Sequence, residues 1–432
     1  MHELARELNE ALQDSVVDSL LSSEGRRIFF PKGIVAQSAE AGEKAKRFNA
    51  TAGLATFNGQ PMHLSDIFDQ FVEGAFQPKD IFSYAPGGGD QTLRKLWQKE
   101  MVAKNPTLAG KTFSLPLVTA GLTHGLYIVG SLFVEEGDTI VIPDQSWDNY
   151  ELIFLHQRGA KVKTFTFFTE DGGFNTEAMV EALSSIEEKK AHLLLNFPNN
   201  PTGYSLTKGE QDEVLTALIA LADGGLTLNV ISDDAYFGLF FEEDIAPESI
   251  FAKLCDAHER IFAIKCDAAT KEDMVWGFRI GFITYASKGL TAEHYDALNK
   301  KTLGSIRASV SNCDRPGQSL LIKAMMEGKR YEEDKARVFD EMKARYTVLK
   351  EQLKKYEGNT DLIPYPCNSG YFMAFKTRGS AEELRQYLLS HYEVGAINIA
   401  DTTFRVAYCS VDLEKVAELV DLVHQAASEV WN

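Results

Sequence analysis

The sequence predicts an α/β protein in which a large domain has a mainly parallel central sheet and a smaller α/β domain is built from both ends of the chain. From about residue 115, short apolar runs alternate with longer segments of helical periodicity, a pattern typical of strands joined by crossover helices. Beyond about residue 290 the sequence becomes helical and charged, and it ends in a mixture of strand-like and helical segments. The chain has 432 residues, of which 44% are hydrophobic, so it can form two or three domains.

The changes in pattern indicate the domain boundaries. Residues 65–300 are predicted to form the large domain, and residues 301–432 together with 49–64 the small one. Residues 1–48 are predicted to be an N-terminal arm that adds to the small domain. Apolar residues at helical spacing predict one amphipathic helix over the first twenty residues. That helix packs on the body of the protein or on a second subunit, and a partner-binding arm is the other interpretation.

Each secondary-structure element is predicted from its own signal. Runs rich in aliphatic and β-branched residues predict strands of the large domain over residues 139–142, 162–168, 192–196, 228–232, 261–265 and 279–285. Helical periodicity predicts helices between them over residues 175–183 and 207–222. The same signals predict later strands over residues 370–376 and 403–409 and a closing helix that begins at Asp412.

The composition disfavours several classes of function. The 44 basic residues against 62 acidic ones give a net charge of −18, and nucleic-acid phosphates are bound by clustered basic residues, so a nucleic-acid partner is not expected. The sequence has neither an apolar run long enough for a membrane span nor the start of a secretory signal. The five scattered cysteines include no CxxC pair, which predicts reduced thiols in a cytoplasmic protein and no metal site.

Unusual polar and aromatic residues follow four of the predicted strands. Ligands bind at the carboxyl ends of the strands in open α/β sheets, so these residues can converge on one pocket. They are Trp147, Asn149 and Tyr150, residues 196–203, Asp233, Asp234 and Tyr236, and finally Thr270, Lys271 and Arg279. A glycine turn at Gly121 opens an apolar helix, whose free N–H groups and dipole suit a phosphate. Each feature alone fits ordinary loop chemistry, but together they predict a binding site.

These residues, in this order, resemble the class I and II aminotransferases, which are fold-type I enzymes dependent on pyridoxal 5′-phosphate (PLP). The most specific matches are Asn200-Pro201-Thr202-Gly203, Asp233-x-Ala235-Tyr236, and Lys271 with Arg279 eight residues later. The resemblance runs from Asn49 to Arg405 and is closest in motif to the aspartate and aromatic aminotransferases. It implies the fold of the PLP-dependent transferases, PLP as the cofactor, and a homodimer.

The resemblance implies that Lys271 holds the cofactor as a Schiff base. The PLP aldehyde needs a lysine amine, which the amino acid substrate later displaces. Lys265 is the competitor, but it lies within an apolar strand and has Asp273, not arginine, eight residues later. Once released, Lys271 would be the base that moves the proton of the substrate.

The resemblance also assigns residues to the cofactor ring. Asp233 would keep the pyridine nitrogen protonated, because a nearby carboxylate stabilises the cation. Asn200 and Tyr236 would bond the 3′-oxygen, and Trp147 would stack on the ring face. The alternatives are a cap or turn for Asp233 and a core or interface position for Trp147.

The phosphate group of PLP is expected to lie at the helix start. The resemblance implies contacts from Gly121, Leu122, Thr123, Arg279 and, from the neighbouring subunit, Tyr84. One departure concerns the position three residues before Lys271, where relatives often have serine and this chain has Ala268. Thr270 can supply a hydroxyl instead.

Three further residues are implied in binding the substrate. Arg405 matches an arginine that binds the α-carboxylate in a bidentate pair, and its alternative is a structural salt bridge. Gly53 resembles part of a loop that closes over the substrate. Arg307 matches an arginine that reaches the distal carboxylate of aspartate or glutamate from the partner subunit, and its alternative is an ordinary interface arginine.

The resemblance therefore implies an aminotransferase that moves the amino group of an L-amino acid to a 2-oxo acid such as 2-oxoglutarate. Aspartate is the favoured donor and an aromatic amino acid the second. A PLP-dependent lyase that catalyses β-elimination is the first alternative on the same scaffold. A ligand-sensing, non-catalytic protein is the other, although a PLP-sensing regulator needs a DNA-binding domain, for which the sequence has no signal.

Overall fold

The computed structural model describes residues 1–31 and 33–431, and a seven-stranded sheet lies at the centre of this part of the chain. The order of the strands across the sheet is Leu117–Ala120, Ile280–Ala286, Ile261–Ala268, Thr227–Asp233, Lys190–Asn196, Thr139–Pro143 and Lys161–Phe165. Ile280–Ala286 is antiparallel to both of its neighbours, and the other strands run in one direction. The predicted fold class, α/β with a mainly parallel central sheet, is confirmed.

Four neighbouring strands of this sheet, Ile280–Ala286, Ile261–Ala268, Thr227–Asp233 and Lys190–Asn196, are buried along almost their whole length. Their apolar side chains face packed helices on both sides of the sheet, whereas the edge strand Lys161–Phe165 is only partly buried. Helices that pack around the sheet are Gln91–Lys104, Leu122–Phe133, Thr176–Ser184, Lys208–Asp223, Ile250–Leu254, Ala292–Ser309 and Arg315–Glu327. The strand predicted over residues 162–168 ends earlier, at Phe165. The chain leaves the sheet there because the backbone N–H of Phe167 donates to a carboxylate oxygen of Asp144 at 2.9 Å.

A second, antiparallel sheet contains four strands in the described residues. Their order is Leu362–Pro364, Phe372–Thr377, Thr403–Ala407 and Ile397–Ala400. The helices that accompany it are Ile34–Lys44, Lys329–Leu353, Ala381–Tyr392 and Val416–Trp431. The strand Phe48–Asn49 pairs with Val394–Gly395, so residues from both ends of the chain meet here. The domain limits given above stay a prediction.

Short elements complete the described chain. The short helices are Val16–Leu20, Ser23–Arg27, Ser65–Phe68, Pro78–Phe82 and Ala269–Glu272, and a hairpin joins Thr56–Phe57 to Gln60–Pro61. Single 3₁₀ turns are Pro106–Leu108, Trp276–Phe278, Lys354–Tyr356, Tyr408–Ser410 and Leu413–Lys415, and Glu151–Gln157 is a π-helical segment. The closing helix predicted from Asp412 therefore begins as a 3₁₀ turn.

The prediction of one helix over the first twenty residues is wrong. The structure has a helix at Glu3–Leu12 and a second at Val16–Leu20. Asp14 between them adopts a left-handed backbone with φ of 62°, and the Ser15 hydroxyl accepts a hydrogen bond from the N–H of Asp18. Serine is a strong N-cap, so this capping preference overrides the continuous apolar spacing.

The described residues carry no helix with the length and apolar character that a bilayer crossing requires. The same part of the chain has no group of three or more histidine, cysteine, aspartate or glutamate side chains arranged to hold a metal ion. The cysteines are free thiols and are buried.

Candidate active site

A cavity of about 380 Å³ lies at the carboxyl ends of the central strands. Its lining includes most of the residues that the sequence indicates: Gly53, Leu122, Thr123, Trp147, Asn200, Asp233, Tyr236, Thr270, Lys271, Arg279 and Arg405. These residues come from segments up to 352 positions apart in the sequence, Gly53 to Arg405, and the fold brings them to one place. The location agrees with the rule that ligands bind where parallel strands end.

Lys271 is carried by the short helix Ala269–Glu272, which directly follows the strand Ile261–Ala268. Its Nζ lies 4.8 Å from the centre of the Tyr236 ring. Desolvation lowers the pKa of Lys271 to about 8, Asp233 opposes this effect, and the charge of Arg279 adds to it. The amine is therefore closer to its neutral, nucleophilic form than an exposed lysine is.

Asp233 ends the strand Thr227–Asp233, and only 2% of it is exposed. The hydroxyl of Tyr150 donates to its Oδ2 at 2.7 Å, and the N–H of Ala235 donates to its Oδ1 at 3.1 Å. Burial raises the pKa of Asp233 to about 6, and these two hydrogen bonds hold it below a still higher value. At neutral pH the group is a buried carboxylate that faces the cavity and can accept from a cationic N–H.

Lys265, the competitor of Lys271 in the sequence, forms an ion pair with Asp234 away from the cavity. The Lys265 ammonium contacts the carboxylate of Asp234 and lies 3.1 Å from Oδ2 of Asp267. All three side chains are buried, and none of them lines the cavity. Lys265 is thus held by carboxylates in the core, whereas Lys271 faces the open space.

The start of the helix Leu122–Phe133 forms a cradle for an anion. No side chain caps this helix, so the N–H groups of its first turn are free of side-chain partners. Gly121 precedes it with φ of 81°, and a Cβ there would lie 2.3 Å from Nη2 of Arg279. Thr270 adds a buried hydroxyl with no hydrogen-bond partner. Free N–H groups, a guanidinium and an unpaired hydroxyl therefore meet at one point.

Arg405 is a buried cation that also lines the cavity. Its Nη1 donates to Oδ1 of Asn200 at 2.8 Å, its Nη2 donates to the carbonyl of Thr51 at 2.7 Å, and its Nε has no partner. The guanidinium lies 4.2 Å from the centre of the Phe372 ring. Burial lowers the pKa of Arg405 to about 10, with Tyr236 and Asp148 opposing, so the group stays charged at neutral pH. Its hydrogen bonds go to neutral oxygens, which leaves the charge available for a carboxylate.

Gly53 lies where two aromatic side chains approach the backbone closely. A Cβ at this position would lie 2.8 Å from Phe372 and 3.1 Å from the hydroxyl of Tyr236. Its carbonyl accepts a hydrogen bond of 3.0 Å from the indole of Trp276. Only glycine fits this position without displacing a neighbour.

Several residues of the cavity are absent from the sequence-based assignment. They are Ile34, Val35, Ser38, Thr51, Ala52, Trp276 and Phe372. Tyr150 was singled out at a strand end, but its hydrogen bond to Asp233 was not foreseen. The three-residue spacing of Trp147 and Tyr150 after one strand is the signal that could have indicated it.

Tyr84 and Arg307 do not join the cavity within one chain. Tyr84 is 89% exposed. Arg307 is exposed on the helix Ala292–Ser309, and its Nη1 donates to the hydroxyl of Ser311 at 2.5 Å. The resemblance assigned both residues to the site of a neighbouring subunit, which a single chain does not include.

Comparison with known proteins decides the family. The family model for aminotransferase class I and II matches residues 52–423. The chain belongs to this family. An aspartate aminotransferase from Sulfolobus acidocaldarius is 25% identical over 342 residues, which are 76% of this chain and 78% of the relative. An aspartate aminotransferase from Pyrococcus horikoshii is 24% identical over 72% of this chain and 74% of the relative.

Solved structures of aminotransferases share the fold. A crystal structure of an aminotransferase from Anaerococcus prevotii aligns with a TM-score of 0.83 and 25% identity over 94% of this chain and 98% of its own. The multiple substrate aminotransferase from Thermococcus profundus aligns with a TM-score of 0.77 and 18% identity over 96% and 99%. The Pyrococcus horikoshii kynurenine aminotransferase aligns with a TM-score of 0.79 and 18% identity over 98% and 100%.

The protein is thus a PLP-dependent aminotransferase. The polar groups that line the cavity match the chemical groups of PLP. The cradle at Leu122 offers donors and a positive charge to a phosphate, and the unpaired Thr270 hydroxyl supplies one more donor. Lys271 offers an amine to an aldehyde, and Asp233 offers a carboxylate to a ring nitrogen.

Proposed function

We propose that this aminotransferase moves the amino group of an L-amino acid to a 2-oxo acid such as 2-oxoglutarate, with aspartate as the favoured donor and an aromatic amino acid as the second. The observation that carries the proposal is the position of Arg405 in the same cavity as Lys271. A buried guanidinium without a carboxylate partner in the described residues is suited to the α-carboxylate of an amino acid.

Lys271 has two roles in the proposed reaction. When bound, PLP supplies an aldehyde that bonds to amines and a protonated ring that accepts the electron pair left at the substrate Cα. Nζ of Lys271 is the amine that would hold the aldehyde of the cofactor. The same Nζ, once free and neutral, would take the proton from the substrate Cα, and its pKa of about 8 suits a base that works near neutral pH.

Asp233 and the residues around it control the ring of the cofactor. Its carboxylate holds the proton on the pyridine nitrogen, and Tyr150 keeps that carboxylate oriented and ionised. Asn200 and Tyr236 would bond the 3′-oxygen of the cofactor, and Trp147 would stack on its ring. Leu122, Thr123, Thr270 and Arg279, which line the cavity, would bind the phosphate, with Gly121 leaving room for the arginine.

The substrate is oriented by Arg405 and the loop around Gly53. Asn200 and the carbonyl of Thr51 fix the guanidinium through hydrogen bonds from Nη1 and Nη2, and its third nitrogen, Nε, has no partner. A fixed carboxylate places the Cα–H bond towards Lys271, which shortens the path of the proton.

We infer further that the active unit is a homodimer and that Tyr84 and Arg307 complete the site of the partner subunit. Both residues are exposed in one chain. This supports the role, because residues that served the site of their own chain would line its cavity. The names of the curated relatives, which are aspartate aminotransferases, support a dicarboxylic donor. The cytoplasmic location stays a prediction.

The proposed reaction is tested by transamination with defined substrates. The purified protein is supplied with PLP, 2-oxoglutarate and either L-aspartate or L-phenylalanine, and glutamate formation is followed together with free ammonia. We expect glutamate to form without ammonia, at a higher kcat/KM for aspartate. β-Elimination needs a leaving group on Cβ, which neither of these donors carries, so L-cystathionine is tested as a third substrate. Release of ammonia and pyruvate from L-cystathionine, with no glutamate formed from any donor, would indicate a lyase instead.

Arg307 is tested for the choice of donor. Arg307→Ala should lower kcat/KM for aspartate by about tenfold to a hundredfold, and kcat/KM for phenylalanine by less than about threefold. The reason is that only aspartate carries a second carboxylate, which the guanidinium would bind through charged hydrogen bonds. Equal losses for both donors would return Arg307 to a structural role. Arg337→Ala, at an exposed position of another helix, is the control.

A further inference from the structure

The turn that carries Lys271 continues into two acidic residues that point into the protein. The side chain of Asp273 is fully buried, and that of Glu272 is 13% exposed. The backbone N–H of Asp273 donates to the carbonyl of Ala269, and the following Met274 has a left-handed φ of 56°. The turn is therefore tight, and the position of Lys271 depends on how these two carboxylates are held.

Two lysine residues from other helices hold the carboxylates of Glu272 and Asp273. Nζ of Lys335 lies 3.1 Å from Oε1 of Glu272 and 3.3 Å from Oδ1 of Asp273. Lys104 contacts the same oxygen of Glu272, and Glu100 lies 2.8 Å from Lys104. We call Lys104, Lys335, Glu100, Glu272 and Asp273 the ionic network.

Within the ionic network Lys335 is the cation that contacts both acidic residues of the turn. The hydroxyl of Tyr331, one helical turn away, donates to Asp273 and also contacts Lys335 at 3.2 Å. Burial opposes the charge of Lys335, but Asp273, Tyr331 and Glu100 outweigh it and raise the pKa of this lysine. A buried carboxylate that loses its cation is strongly destabilised, so the turn would rearrange without Lys335.

The helix Lys329–Leu353, which carries Lys335, also contacts the segment that follows Arg405. Arg345 lies ten residues after Lys335 on the same helix, about 15 Å along its axis. Its Nη1 donates to the carbonyl of Cys409 at 2.6 Å, just beyond the strand Thr403–Ala407 that carries Arg405. One rigid helix thus contacts the segment after Lys271 and the segment after Arg405.

We propose that Lys335 is a positioning residue for Lys271: by pairing with Glu272 and Asp273 it fixes the turn so that the lysine amine meets the cofactor aldehyde. The proposal rests on the role of Lys271 given above. Lys335 touches neither cofactor nor substrate, and it acts through the backbone of residues 271–273. The same helix, Lys329–Leu353, also contacts the segment after Arg405 through Arg345.

Two cofactor forms separate positioning from a general structural effect. Pyridoxal 5′-phosphate bonds covalently to Lys271, whereas pyridoxamine 5′-phosphate is itself an amine and forms no bond with a lysine. Both forms share the ring and the phosphate. A misplaced Lys271 therefore weakens binding of the aldehyde form selectively, and a damaged cavity weakens both.

The test is the dissociation constant of each cofactor form for the full chain, measured by fluorescence titration of cofactor-free protein. Lys335→Met should raise the constant for the aldehyde form by about tenfold or more and that for the amine form by less than about threefold. Glu272→Gln, which removes the charge that Lys335 pairs with, should give the same selective loss. It is the test variant if Lys335→Met does not fold. Lys329→Met, an exposed lysine of the same helix, should change neither constant.

The outcomes that overturn the proposal are equal losses for both cofactor forms, or no loss, in the variants that fold. Lys271→Ala in the same titration separates the role of Lys271 from the positioning role of Lys335. If Lys271→Ala leaves the affinity for the aldehyde form unchanged, the assignment of Lys271 fails. If Lys271→Ala loses this affinity and the Lys335 and Glu272 variants do not, only the positioning role fails.

Discussion

At the scale of single residues, burial determines the chemistry of the cavity. It lowers the pKa of Lys271 and raises that of Asp233, so the two values approach each other near neutral pH. The same burial leaves Arg405 charged, since its pKa of about 10 is still well above neutral. The cavity thus combines a nucleophilic amine, a carboxylate and a fixed cation, which is the set that amino group transfer needs.

Tyr150 is predicted to control the acid side of the pH profile. Tyr150→Phe removes a hydrogen bond that lowers the pKa of Asp233, so this pKa should rise further. On acidification, the variant should therefore protonate Asp233 at a higher pH than wild type does. We expect the acid limb of the kcat/KM profile to move to higher pH, with about a fivefold loss at pH 6 if the pKa of Asp233 rises from about 6 to about 7. Tyr392→Phe on the surface is the control, and an unmoved acid limb would contradict the role of Tyr150.

Arg405 is predicted to bind every amino donor in the same way. Arg405→Lys keeps the charge but not the bidentate geometry, so KM should rise by about tenfold or more for aspartate and for phenylalanine alike. Steady-state kinetics with both donors check this expectation. A loss confined to one donor would place Arg405 at the side chain of the substrate instead of its α-carboxylate.

At the scale of elements, the site depends on where strands end and helices begin. The sequence predicted the strand ends that carry Asp233 and Lys271, because apolar runs followed by polar residues are a local signal. It did not predict Trp276, Phe372 or the contact of Lys335 with Glu272, since these depend on segments 63 or more positions apart meeting in space. The break at Asp14 was missed because a local capping preference competes with the apolar spacing.

The helix start at Leu122 is predicted to need the glycine before it. Gly121→Ala places a Cβ against the guanidinium of Arg279 and should raise the dissociation constant of PLP by about tenfold or more, since the charged donor is displaced. Gly110→Ala is a matched control, because Gly110 has a similar φ of 79° but open space around it. Both variants place alanine at a positive φ, which favours glycine, so the cofactor titration, and not stability alone, reports on the cradle. Equal affinities in the two variants would contradict the cradle.

At the scale of the whole molecule, the site spans the chain and, in our proposal, two chains. Gly53 and Arg405 lie near opposite ends of the sequence, and the strand pair Phe48–Asn49 and Val394–Gly395 brings these ends together. The fold class could be predicted from the sequence because the alternating pattern extends over the central part of the chain. In our proposal, Tyr84 and Arg307, which are exposed in one chain, act in the site of a second copy.

Mixing two inactive variants tests the shared site. A Lys271→Ala subunit still offers its Tyr84 and Arg307, and a subunit with both Tyr84→Ala and Arg307→Ala still offers its Lys271. Random reassociation of equal amounts should restore intact sites at about one quarter of the positions, because half of the dimers are mixed and each mixed dimer has one intact site. Size-exclusion chromatography checks that dimers form. No recovery of aspartate transamination in mixed dimers would contradict the exchange of residues.

The most direct test of the central claim is the absorption spectrum of the purified protein with PLP, recorded before and after L-aspartate is added, for wild type and Lys271→Ala. We predict that wild type shows a visible band from the covalent bond between Lys271 and the cofactor, and that aspartate converts it to a band at shorter wavelength. Lys271→Ala should lack the visible band before aspartate is added. A wild-type protein without a visible band, or a Lys271→Ala variant with an unchanged one, would contradict the assignment.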